Sequence, residues 1–165
     1  MDTQPVDTQP RDTPAPGASP ADAAPAARLP AGGQVRRLLL GSGPGAVGRG
    51  RAAVREALQD WQWLPGQTPE QQAAAEDVLL VACELVTNAC LHAGGARELV
   101  LHCTVERLRI EVGDGDPTPP APRLPHRAGS PGGHGLHIVA RLTTAWGSVP
   151  RPGGGKAVWA EFRTP

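Results

Sequence analysis

A change of hydrophobic period at Gly94-Gly95 constrains this 165-residue chain more than any other feature in it. Before the glycine pair, Val78, Ala82, Leu85 and Ala89 recur at spacings of four, three and four, which lays one apolar stripe along a helix. After it the period drops to two. Leu99, Leu101, Cys103 and Val105 alternate with Val100, His102 and Thr104; Leu108, Ile110 and Val112 alternate with Arg109 and Glu111. With Glu106-Arg107 as the turn, this pattern predicts an antiparallel hairpin with one buried face.

The helix opens at Thr68-Pro69-Glu70, which reads as cap, first-turn proline and first-turn acid. Near its other end lie Glu84 and Asn88, four residues apart and therefore stacked on one face. That face sits about 80–120° round from the apolar stripe, at the edge of the core. A carboxylate and a carboxamide placed there either form a solvated flank or meet a ligand without being buried unpaired. The second strand of the hairpin runs into Gly113-Asp114-Gly115-Asp116-Pro117. Asp114 is either a turn acid, which Asp-Gly suits, or a carboxylate that reaches into a pocket and accepts from an exocyclic amine.

Met1 to about Gly33 is rich in Pro and Ala, and Asp-Thr recurs at 2, 7 and 12. Almost no large apolar residue is available to offset the entropy of ordering, so this segment is expected to be a disordered tail ahead of a domain over 34–165. Val35 to Leu40 then reads as a strand, and a helical pattern follows to about Trp61 with Val47, Val54 and Leu58 inward. Between them, Gly43-x-Gly45-x-x-Gly48 formally matches the dinucleotide fingerprint. No parallel strand follows, and too little chain remains for a doubly wound sheet. A glycine-rich turn is the better reading, with Ser42 as N-cap and Pro44 near the first helical turn. Trp61-Gln62-Trp63-Leu64-Pro65-Gly66 ends the helix, and its Trp pair is expected to pack under the next loop.

Pro117 to Gly132 is Pro-rich and aperiodic, the signature of a lid or insert. It leads into Gly132-Gly133-His134-Gly135-Leu136, glycines that open a short helix with Leu136, Val139, Ala140 and Leu142 facing in. Bare backbone N–H groups at a helix N-terminus favour phosphate. No Gly-Lys-Ser/Thr occurs, so this is no Walker A loop, and Gly155-Lys156-Ala157 fails the same test. Thr144–Val149 and Ala157–Phe162 read as two closing strands.

Composition narrows the classes. Sixteen basic residues balance sixteen acidic ones, so no overall charge points to nucleic acid or a membrane surface. Nothing resembles a membrane span or a signal peptide, which together predict a cytoplasmic protein. Cys83, Cys90 and Cys103 are odd in number and lack CxxC spacing, so core thiols are expected in place of zinc ligands or disulfides.

Taken in order, the helix with Glu84-x-x-x-Asn88, the strand into Asp114, the lid, the Gly133-x-Gly135-Leu136 helix and Gly155-Lys156-x-Val158-Trp159 resemble the GHKL ATPase superfamily. Within it, the chain looks like the anti-sigma regulatory factor, or RsbW-like, serine/threonine kinases of actinobacteria. The resemblance implies an α/β (α+β) two-layer sandwich, with one mixed, mostly antiparallel sheet of about five strands and helices on one face. It also implies ATP between a helix and the lid. Glu84 then matches the base on a substrate hydroxyl, Asn88 the Mg²⁺ ligand, and Asp114 the acceptor of the adenine amino group. Gly133 and Gly135 match the glycines that let lid backbone approach the phosphates, and Leu136 and Lys156 fall in nucleotide-binding motifs. The superfamily's Asp-x-Gly-x-Gly is here Asp114-Gly115-Asp116-Pro117-Thr118, with both motif glycines replaced. Implied partners are an anti-sigma-factor antagonist, a sigma factor and a second copy of the chain, with no direct nucleic-acid or membrane contact. Two other classes fit less well: a partner-sequestering module that holds ATP or nothing, and a detached histidine-kinase catalytic domain. No His-bearing dimerisation helix precedes residue 35.

Overall fold

The computed structural model of the chain describes residues 33–121 and 135–165. The expected N-terminal tail, save Gly33, lies outside these residues, as do most of the Pro-rich lid and Gly133. Among the described residues the order is β1 (Gln34–Leu39), α1 (Ala46–Asp60), α2 (Pro69–His92), β2 (Ala96–Cys103), β3 (Arg107–Asp114), α3 (Gly135–Leu142), β4 (Ala145–Pro150) and β5 (Lys156–Arg163).

Helix α2 starts where its capping signal predicts. The Thr68 hydroxyl accepts the Gln71 backbone N–H at 3.2 Å, with Pro69 at the first helical position. Its stripe of Val78, Ala82, Leu85 and Ala89 is buried, joined by Ala75, Leu79, Val81 and Val86. The stripe lies on a five-stranded sheet of order β1-β2-β3-β5-β4, and every pairing is antiparallel. Leu99 and Leu101 of β2, Leu108, Ile110 and Val112 of β3, and Val158, Ala160 and Phe162 of β5 supply the sheet side of the core. The result is the expected two-layer α+β sandwich, with the antiparallel pairing complete.

Several local expectations are corrected. Ser42 does not cap α1: it lies four residues ahead of Ala46, beyond reach of the first turn, and Gly45 takes the cap position with a left-handed φ of 83° and no side-chain bond. Pro44 likewise stands outside the helix. The hairpin turn comes early, because Thr104 Oγ1 accepts from the backbone N–H of Glu106 and of Arg107. Val105 is therefore at the turn and 93% exposed, and Arg107 already belongs to β3. Trp63 is buried, but Trp61 turns to β1, where its ring lies under Arg36 and its Nε1 donates to Gln34 Oε1 at 2.6 Å. Cys90 is exposed on the last turns of α2 and is no core thiol. In α3 Val139 is buried whereas Ala140 faces solvent.

The sheet's second face is also less open than an alternating hairpin suggests. Val100 is buried there, and the guanidinium carbon of Arg109 sits over the Trp159 ring, 4.1 Å from its centre, while the side chain bonds Glu111 and Glu161. Long side chains from neighbouring strands cover a face that strand-by-strand reading leaves solvated.

Candidate nucleotide site

The cleft lies between the C-terminal half of α2 and the ends of β3 and β5. Its volume is about 230 Å³, and Leu85, Asn88, Ala89 and His92 of α2 face Val112 and Asp114 of β3, Leu136 of α3, and Lys156 and Val158 of β5. Asp116 and the run from Thr118 to Ala121 close its rim. The apolar part of this lining comes from the core edge; the polar part comes from three chain segments that converge.

Asp114 is the last residue of β3 and is 2% exposed. The register pairs it with Lys156, the first residue of β5. Lys156 Nζ donates to Asp114 Oδ1 at 3.1 Å and to the Asp116 carbonyl at 2.9 Å. Gly155 makes this approach feasible. Its φ is +82°, and a Cβ there would strike the backbone carbonyl of Asp114. Oδ1 of Asp114 also accepts the Asp116 backbone N–H at 2.9 Å, and Asp116 Oδ1 in turn accepts from the Thr118 backbone N–H at 2.9 Å. Two successive side-chain-closed turns thus shape the segment in which the motif glycines are replaced. The Thr118 backbone bond holds the Asp116 carboxyl below the usual carboxylate range.

At the other end, Glu84 and Asn88 are both half-buried on the flank of α2. Asn88 lines the cleft; Glu84, one turn earlier, is outside its lining. Gly135, the first residue of α3, backs directly onto both. A Cβ at Gly135 would lie 2.6 Å from Glu84 Oε2, 3.2 Å from Asn88 Nδ2 and 3.3 Å from Asn88 Oδ1. Only a glycine lets the start of α3 come this close. Asn88 Nδ2 is buried with no hydrogen-bond partner among the described residues, a capacity that a native structure seldom leaves unused.

The structure therefore brings Asn88, Asp114, Leu136 and Lys156 to one cleft, and sets Glu84 beside Asn88 and Gly135. Gly133 lies outside the described residues. Sequence reading missed Asp116 and Thr118, whose turns are local and were legible as Asp-x-Thr, and left His92 without a role although it lines the cleft. It named Lys156 without its partner, because a contact between residues 42 apart needs the strand order.

The model of the histidine kinase-like ATPase domain matches residues 46–162, from the first residue of α1 to within one residue of the end of β5. The chain belongs to the histidine kinase-like ATPase family. No curated protein matches it. Domains of this family bind ATP, usually with Mg²⁺, and the cleft is the candidate site for that nucleotide. Its residues fit that ligand. The unpartnered Asn88 Nδ2 is a donor that suits a phosphate oxygen, and Oδ1 of the same carboxamide is the atom that would ligate Mg²⁺, which keeps several waters and needs few protein ligands. No group of three or more His, Cys, Asp or Glu side chains forms a cation cage among the described residues. No helix there is long and apolar enough to cross a membrane.

Proposed function

We propose that this ATPase domain is a regulatory serine/threonine protein kinase of the anti-sigma factor type. It would phosphorylate an anti-sigma-factor antagonist on Ser or Thr, sequester a sigma factor, and act as a homodimer in the cytoplasm. The observation that carries the reading is the placement of Glu84 against Gly135 and one turn from Asn88, outside the cleft lining. A carboxylate there is free to serve an acceptor hydroxyl arriving from outside, while Asn88 serves the phosphates.

Phosphoryl transfer needs mainly positioning, charge neutralisation and an oriented nucleophile. Asp114 would hold the base end and Asn88 the phosphate end, with Mg²⁺ supplying charge neutralisation when bound. The start of α3 at Gly135 lies beside Asn88, and a helix N-terminus favours anions. Glu84 would accept the proton of the substrate hydroxyl.

The test is transfer from ATP to candidate antagonists, measured beside ATP affinity. Glu84→Gln keeps shape and removes the base, so transfer is expected to fall roughly 10²–10⁴-fold with ATP affinity nearly unchanged. Asn88→Ala is expected to damage both. Unchanged transfer in Glu84→Gln would remove the base role. Partner binding without transfer by the wild type would make the sequestering module the better reading.

A further inference from the structure

Lys156 and Asp114 form a buried pair with one arm of each left over. Oδ1 of Asp114 is committed to Lys156 Nζ and to the Asp116 N–H, whereas among the described residues no hydrogen bond reaches Oδ2. Lys156 Nζ gives two of its three protons to Asp114 Oδ1 and the Asp116 carbonyl. Both side chains line the cleft, yet Asp114 is only 2% and Lys156 6% exposed. An ammonium this enclosed, held by a strand register and by a glycine that no other residue can replace without collision, is fixed in place.

We infer that Lys156 is a specificity-determining residue that reads the base of the nucleotide together with Asp114. The inference rests on the ATP-site reading of the cleft. The pair presents an acceptor, Oδ2, next to a donor, the third Nζ proton. Adenine carries the complement on its pairing edge: the exocyclic amine donates and the adjacent ring nitrogen N1 accepts. In the same pose guanine reverses both, setting its carbonyl against the carboxylate and its N1–H against the ammonium. Lys156 thus adds a second point of base recognition and turns Asp114 from a lone acceptor into half of a donor–acceptor reader. A lone aspartate would distinguish the two bases by the amine only.

The test compares ATP with 1-deaza-ATP, in which a C–H replaces N1, by calorimetry on the full chain. The wild type is expected to bind ATP about tenfold or more tightly than 1-deaza-ATP, the effect of losing one hydrogen bond to a charged group. In Lys156→Met the two nucleotides are expected to bind equally, because the donor is gone. Should that variant fail to fold, the wild-type comparison alone decides. Equal binding of ATP and 1-deaza-ATP by the wild type would overturn the role of Lys156 and leave the ATP site intact. GTP binding as tight as ATP would overturn it as well. Binding of none of the three would overturn the ATP site and this inference together.

Discussion

Asp114 is bonded on one oxygen by its own chain and also lines the cleft, so its removal affects ligand and fold differently. Asp114→Ala is expected to weaken ATP binding by about 1.5–3 kcal/mol, the value of a hydrogen bond to a charged group. GTP binding should change much less; equal, small losses for both nucleotides by calorimetry would sink the assignment. The variant also leaves Lys156 enclosed without its counter-ion, so a lower Tm is expected beside the binding loss. Gly155 is a separate case. Gly155→Ala meets both a strained φ of +82° and the Asp114 carbonyl, and is expected to destabilise by more than about 1 kcal/mol in urea unfolding. At this scale spacing alone put Glu84 and Asn88 on one face, since four residues make roughly one turn. The Asp114–Lys156 contact was beyond such reasoning, because no local period links a strand end to a strand start 42 residues away.

Among the elements, β2 carries the charge that makes the fold pH-sensitive. Burial raises the Glu98 carboxyl, but hydrogen bonds from Arg151 at 2.5 Å and Arg37 at 2.6 Å outweigh it, leaving Glu98 below the ordinary carboxylate range. Burial also lowers His102, helped by Arg109 and Arg37 and opposed by Glu111. Both signs agree. A histidine depressed on folding gives up stability as pH falls below its unfolded value of about 6.5. A depressed carboxylate keeps its contribution above the unfolded value and loses it as pH falls through the folded one. Unfolding free energy measured in urea is therefore expected to decline below about pH 6.5, and again in the acid range. In Glu98→Gln the acid-range decline should shrink while the first remains. Element boundaries were legible where a side-chain signal is local, as at Thr68-Pro69. They were not legible at α1, where a left-handed Gly45 replaces a polar cap, nor at the hairpin, where Thr104 draws the turn forward. The covered second face depended on Arg109 meeting Trp159, a pairing set by strand order.

For the whole molecule, the family assignment and the two-layer sandwich followed from motif order, and the structure supplied what order cannot: which ends meet. The first described strand begins at Gln34, and the composition before it offers almost no apolar surface to bury. Deleting residues 1–32 is accordingly expected to leave Tm unchanged; a marked fall would show that the segment joins the domain.

The strand order has a consequence for how the protein is made. Of the five strands β5 comes last in the chain, yet it lies inside the sheet between β3 and β4. A nascent chain that has left the ribosome as far as β4 has no neighbour for it and shows an unpaired β3 edge to the cell. Nor does it have Lys156, so the cleft lacks part of its lining. Nucleotide held in this cleft would therefore stabilise only chains that already include β5.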